Sequence, residues 1–425
     1  MRLPMGMPPP QRMIAIRHYA IVTAAYWAFT LTDGALRLVV LLHFHALGYT
    51  PIQLAFLFLL YEFFGIVTNL AGGWLAARTG LRVTLVAGLA LQTGALALLA
   101  MLDPAWDMAL STAYVMACQA LSGIAKDLTK MSAKSAVKVL VPPGDQPALF
   151  KWVAVLTGSK NALKGAGFFL GAALLSWLGF RGALLAMGAG VGVVLLAVST
   201  ALPASVGRTK ARALFTSVLS HSRAINVLSI ARLALFAARD VWFVVSVPIF
   251  LTGALGWSFM QVGAFLALWV IGYGAIQAAA PAALRALGGG TPGPALTGAL
   301  GLALAAVTAA IPLALHAGAP AAPVMLGGLA LFGVIFALNS SVHSYLVLAF
   351  ADADRVALSV GFYYMANAAG RLLGTLLSGL TYQWGGVEAA LWTSAALAAI
   401  AGAAAFLLPR VTPQVSWSSV DAGDS

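Results

Sequence analysis

Twelve ionisable residues lie inside long apolar stretches of this chain. Eight are basic (Arg37, Lys126, Lys130, Lys160, Lys164, Arg232, Arg239 and Arg371) and four are acidic (Asp33, Glu62, Asp127 and Asp240). A charged side chain at the centre of a membrane helix costs about 2.5–3.5 kcal/mol on insertion scales. Such groups pair with one another, line a wet cavity or meet a charged ligand. Asp33 and Arg37 are four residues apart and can pair within one helix, and Asp127 is three residues from Lys130. Asp240 adjoins Arg239, and neighbours in a helix do not face each other, so Asp240 is expected to look to another helix. With all four acids paired, four of the eight bases keep an uncompensated charge. A dianionic or trianionic ligand would supply the missing counter-charge.

The spacings put these groups on faces. Lys160 and Lys164 are i,i+4, with Asn161 on the same polar side. Arg232 and Arg239 are i,i+7, Asn367 and Arg371 are i,i+4 with Tyr363 a further turn back, and Asn339 and His343 are i,i+4. Arginine grips phosphate, arsenate or carboxylate through two parallel hydrogen bonds, whereas lysine supplies a point charge. The candidate substrate-binding set is therefore Arg37, Lys126, Lys160, Lys164, Arg232, Arg239, Arg371, Asn161, Asn367 and His343. Asp33, Glu62, Asp127 and Asp240 are the candidate proton carriers or ion-pair partners. Lys134 and Lys138 continue the four-residue spacing of Lys126 and Lys130 and read as a solvated helix end. For Lys160 and Lys164 the rival reading is snorkelling to the membrane interface.

The elements that must hold such groups follow from composition. Hydrophobic residues make up 61% of the 425 and charged ones only 8%, against about 25% charged in soluble domains. A chain this poor in charge has no polar shell with which to meet water, so it is an all-α polytopic membrane protein. The net charge of +12 in a soluble protein would suggest nucleic acid; here it reports topology, and no nucleic-acid partner is expected. The single cysteine, Cys118, excludes an internal disulfide. No G-x-x-x-x-G-K-[ST], H-E-x-x-H or G-x-S-x-G string and no metal-ligand cluster is present. No enzyme activity, cofactor or metal is expected.

Crossing a bilayer takes about 20 apolar residues. Twelve runs qualify, from His18–Leu42 and Pro51–Ala76 through Ala109–Leu128, Leu149–Leu178 and Gly182–Leu202 to Val356–Tyr382 and Val387–Leu408. An even number puts both termini on one side. The loops of that side hold fifteen Lys and Arg, whereas the opposite loops hold only Arg181. The excess of basic residues places both termini in the cytoplasm.

The chain repeats itself. Gly48-Tyr49-Thr50-Pro51-Ile52-Gln53 opens the second run and Gly256-Trp257-Ser258-Phe259-Met260-Gln261 the eighth, at an offset of 208. Gly179–Leu184 matches Gly386–Leu391 at 207, and Asn161 matches Asn367 at 206. Two repeated six-helix halves follow, at 17–202 and 223–409. A cytoplasmic tail (1–16), a cytoplasmic linker (203–222) and a disordered cytoplasmic tail (410–425) flank them. Repeats of this kind build alternating-access transporters with the site at midplane.

Twelve spans in two sixes with a basic central loop resemble the major facilitator superfamily. The loop Gly73-Trp74-Leu75-Ala76-Ala77-Arg78-Thr79-Gly80-Leu81-Arg82 resembles its gating signature, with Gly73, Arg78, Gly80 and Arg82 in the matching places and Ala77 where the family has Asp. A closer resemblance covers most of the chain. Tyr26–Gly48, Ala120–Lys138, Leu156–Gly171 and Ala231–Phe243 are similar to the ArsJ-type organoarsenical efflux permeases. That resemblance implies a monomeric exporter of 1-arseno-3-phosphoglycerate in a bacterial inner membrane, conferring arsenate resistance. It also implies a functional link to glyceraldehyde-3-phosphate dehydrogenase, which makes this ester when arsenate replaces phosphate. The residues alone fit an importer or exchanger of another organic anion or sugar phosphate equally well. A multidrug exporter of hydrophobic cations would need buried acids in excess, and this chain has the reverse.

Overall fold

The structure is a computed structural model that describes residues 9–79, 81–140, 146–202, 222–286, 292–350 and 356–409. Among these residues every regular element is a helix. In hydrocarbon a spanning segment must satisfy its backbone polar groups internally, and a helix does so along its own length. The elements are α1 (Pro9–Ala46), α2 (Pro51–Thr79), α3 (Leu81–Ala100), α4 (Met108–Leu140), α5 (Gln146–Ala201) and α6 (Arg223–Val241). A π-helical turn (Trp242–Ser246) leads into α7 (Val247–Gly253), followed by α8 (Phe259–Ala286), α9 (Pro294–His316), α10 (Ala321–Ala349) and α11 (Val356–Phe406).

Ten helical stretches are long and apolar enough to cross a membrane among the described residues. Two of them, Ser159–Ala201 and Phe362–Phe406, run to 43 and 45 residues, about twice the length of one crossing. Each contains two of the predicted runs, which accounts for ten stretches where the sequence predicts twelve. Each is also broken once. Gly179 stands at φ 68° in α5 and Gly386 at φ 64° in α11, a conformation that glycine adopts without strain. Helix edges differ from expectation at two places. α1 begins at Pro9, inside the predicted tail, and α4 continues to Leu140 rather than stopping at Leu128. The residues after Leu128 are helix formers with no breaker before Pro142, so polarity alone does not end the helix.

The chain divides into two compact units. One comprises Met1–Thr216 with Val247–Ile271, the other Ser217–Ser246 with Gly272–Ser425. They differ from the predicted halves by the segment Val247–Ile271. The repeat is visible in local geometry. Thr50 N–H donates to Gln53 Oε1 at 2.9 Å, and Ser258 N–H donates to Gln261 Oε1 at 2.8 Å. The return bonds, Gln53 N–H to Thr50 Oγ1 and Gln261 N–H to Ser258 Oγ, complete a capping box at each helix start.

Close helix approach repeats as well. A Cβ on Gly167 of α5 would strike the Leu31 carbonyl oxygen of α1, and one on Gly374 of α11 would lie 2.7 Å from the Ala237 carbonyl oxygen of α6. The glycines are 207 apart and the carbonyls 206. Small residues let helix backbones meet where lipid offers no hydrophobic drive. Gly167→Ala and Gly374→Ala are each expected to cost about 1–3 kcal/mol through overpacking. Thermal unfolding in detergent checks this, with Gly94→Ala as the control because nothing lies within 4 Å of its Cβ position.

Candidate functional site

In the first unit the charges gather on α1, α2 and α4. Arg37 of α1 forms an ion pair with Glu62 of α2, and both are buried. The Arg37 guanidinium also lies 5.5 Å from the Phe58 ring and 5.0 Å from the Tyr61 ring. The Tyr61 hydroxyl donates to Asp33 Oδ1 at 2.5 Å. This corrects the expected Asp33–Arg37 pair within α1. The arginine reaches the carboxylate of the neighbouring helix, and the tyrosine beside that carboxylate serves Asp33. Lys126 of α4 holds its ammonium 4.1 Å from the same Tyr61 ring, so one aromatic ring meets two cations and its hydroxyl a carboxylate.

Asp127 is 1% exposed, with Lys130 Nζ at 3.3 Å, as the i,i+3 spacing predicts. Thr68 Oγ1 donates to its other oxygen at 2.6 Å. Lys160, Asn161 and Lys164 are half-buried on α5, which Trp27 joins to α1 by donating to Ser159 Oγ at 3.0 Å. Arg82 donates to the Ser199 carbonyl at 2.7 Å, fastening α3 to the end of α5. Gly73, Arg78 and Gly80 lie outside the residues whose side chains are described.

In the second unit the charges line α6 and face α10 and α11. Arg232 is 5% exposed. Its Nε donates to Asn367 Oδ1 at 3.1 Å, and its Nη1 to Ser340 Oγ at 3.0 Å and the Ser340 carbonyl at 3.3 Å. The guanidinium lies 4.0 Å from the Phe236 ring and 4.9 Å from the Tyr363 ring. Every partner is neutral, and among the described residues no carboxylate pairs with Arg232. A buried ion costs several kcal/mol even after the protein relaxes around it. This one has its position fixed by three acceptors and two rings, but its charge uncompensated.

Arg239 and Arg371 share a single acid. Arg239 holds Asp240 Oδ1 through Nε at 2.6 Å and Nη2 at 2.5 Å. Arg371 Nε lies 3.5 Å from Asp240 Oδ2. Asp240 does look to another helix, α11, but the expectation that Arg239 would not meet it is corrected. Arginine is long enough to fold back onto the next residue, and the helix widens into its π turn two positions later. His343 is fully buried, and neither ring nitrogen has a hydrogen-bond partner among the described residues. Asn339 Oδ1, one turn earlier on α10, is in the same state.

Sequence reasoning missed Tyr61 as a hub, Thr68, Ser340 and Phe236. Phe236 was legible, since it stands four residues after Arg232 and three before Arg239. Ser340 carried no signal, because a serine in a membrane helix most often bonds its own backbone.

A helical membrane protein in two compact units, each with buried charge, is a carrier rather than an enzyme in its architecture. The family model described as Major Facilitator Superfamily matches residues 21–308, and the chain belongs to that family. It is a membrane transporter of that kind. Among solved structures it is similar to a POT family transporter in complex with a thioalcohol-conjugated peptide, at 15% identity and TM-score 0.72, covering 91% of this chain and 95% of that one. It is also similar to a bacterial homologue of the iron transporter ferroportin in an inward-facing state, at 15% identity and TM-score 0.69, covering 92% and 98%. At such identity the likeness concerns the fold alone. No curated protein matches the chain.

Proposed function

We propose that the protein is a secondary active exporter of an organic oxyanion ester, foremost 1-arseno-3-phosphoglycerate. It works by alternating access in a bacterial inner membrane, with twelve crossings and both termini cytoplasmic. The observation that carries this reading is Arg232, a buried guanidinium with neutral partners only among the described residues. An anion that arrives beside it replaces lost hydration with a charge-assisted, two-pronged contact. The resemblance of Tyr26–Gly48, Ala120–Lys138 and Ala231–Phe243 to organoarsenical permeases narrows the anion to an arsenate ester. Glyceraldehyde-3-phosphate dehydrogenase would make that ester on the cytoplasmic side.

Coupling to protons falls most naturally to Asp33. It is buried, and its partner among the described residues is the neutral Tyr61 hydroxyl, whereas Glu62, Asp127 and Asp240 each hold a cation. A carboxylate without a cation is the one that burial most readily protonates.

The test is uptake into inside-out vesicles. Arsenate, glyceraldehyde 3-phosphate, NAD and the dehydrogenase together are expected to drive arsenic into vesicles that carry the protein and not into empty ones. Equal uptake with arsenate alone would overturn the ester reading, and no uptake under either condition would overturn export.

A further inference from the structure

Two arginines of the second unit share one aromatic ring. Arg232 Cζ lies 4.0 Å and Arg239 Cζ 4.9 Å from the Phe236 centroid, so the two stand at most 8.9 Å apart. Positions 232, 236 and 239 follow one stripe of α6. The two ends of this stripe are equal in charge and unlike in what they already hold.

Arg232 spends Nε and Nη1 on Asn367 and Ser340. Its Nη2 has no acceptor among the described residues, which leaves two donors of the guanidinium fork unused. Arg239 and Arg371 face one carboxylate between them. That cluster therefore carries one net positive charge, as Arg232 does. It is also not sealed, since the side chains of Arg239 and Arg371 keep 16% and 17% of their exposure. Arg371 Nε and Asp240 Oδ2 are buried without a hydrogen bond, as are both nitrogens of His343 and Asn339 Oδ1. Buried polar atoms without partners are rare, because each costs about 1–3 kcal/mol. Here they sit on α6, α10 and α11, the helices that carry the stripe and its partners.

We propose that this stripe is a two-ended anion site. It takes a short carbon chain with an oxyanion at each end, one on Arg232 and the other on the Arg239–Arg371 side, and the chain lies across Phe236. The distance bound restricts the ligand to about three carbons between its anionic groups, as in a phosphorylated three-carbon acid. A ligand with one anionic end leaves the other centre uncompensated in a poorly solvated place. The inference rests on the anion-transport reading above and adds a rule of selectivity to it.

The experiment measures binding to the purified full-length protein in detergent by calorimetry. The probes are 3-phosphoglycerate, with carboxylate and phosphate ends, and glycerol 3-phosphate, with phosphate alone. The wild-type protein is expected to prefer 3-phosphoglycerate at least tenfold. Arg232→Gln and Arg239→Gln should each reduce that preference to within about threefold of parity, with monodisperse elution showing that the variants are folded. Should Arg239→Gln not fold, Arg239→Lys keeps the charge at Asp240, loses the fork and should still weaken the preference. Equal affinity of wild type for the two probes would overturn the proposal. So would loss of preference in one arginine variant but not the other, or no binding of either probe. Arsenic uptake by vesicles together with equal affinities would sink the two-ended site alone. A clear preference with no arsenic uptake would sink the ester reading alone.

Discussion

Glu62→Leu is expected to destabilise the folded protein by about 3–5 kcal/mol, the cost of stranding one partner of a buried ion pair. Glu62 is 1% exposed and Arg37 8%, so no water replaces the lost carboxylate. The rings of Phe58 and Tyr61 flank the guanidinium but offer only a weak cation–π attraction, about 2 kcal/mol when desolvated. Thermal unfolding followed by tryptophan fluorescence in detergent reads the loss. The double variant Arg37→Met with Glu62→Leu is expected to recover most of it, because removing both charges leaves neither one buried alone. Asp33→Asn, by contrast, should change stability little, since the Tyr61 hydroxyl can donate to an amide oxygen as well as to a carboxylate. A small effect of Glu62→Leu, or a double variant no better than the single, would show that the pair does not hold α1 to α2. The contrast also separates the two acids in function. The one that anchors a cation is structural, and the one held by a neutral hydroxyl is free to change its protonation state during transport.

The residues that carry charge into the membrane were legible in the sequence, because an apolar run makes each of them conspicuous and costly. Their partners were less so. Periodicity along one helix found Lys130 for Asp127, three residues away. It pointed Asp33 to Arg37, whereas the structure joins Arg37 to Glu62, 25 residues on. A local rule ranks neighbours on one helix and is blind to what another helix brings. The same limit applies at Asp240. Ideal helix geometry turns residue 239 away from 240, yet a long flexible side chain beside a π turn closes the gap. The repeat was the most faithful signal. The offsets of 206 to 208 in the sequence reappear as paired capping boxes, paired positive-φ glycines and paired glycine–carbonyl contacts. Those features depend on backbone geometry that only a few residue types permit, so they leave a mark in sequence. The neutral acceptors around Arg232 left none, because Ser340 and Asn367 look like ordinary helix residues until the fold brings them together.

Arg232→Met is expected to abolish anion transport while leaving the fold as stable as before, or more so. The two effects have one cause. A guanidinium that is 5% exposed with only neutral partners among the described residues raises the free energy of the empty protein. An insertion cost of about 2.5–3.5 kcal/mol sets the scale of that penalty. Methionine keeps the length and the packing against Phe236 and Tyr363 and removes the charge. Ser340 and Asn367 lose a donor, at about 1–3 kcal/mol for acceptors left buried, so the net change in stability is small or favourable. Transport responds differently, because the anion's binding energy depends on the cation that the empty protein bears at a cost. Arg232→Lys sharpens the point. It restores the charge without the planar fork, so it should recover binding of the anion only in part. Unfolding temperatures and vesicle uptake, measured on the same preparations, give both quantities. If Arg232→Met unfolded at a markedly lower temperature, the arginine would be a structural cross-link between α6, α10 and α11, and the lost transport would follow from that alone. If it transported normally, the uncompensated charge would have no part in recognising the substrate.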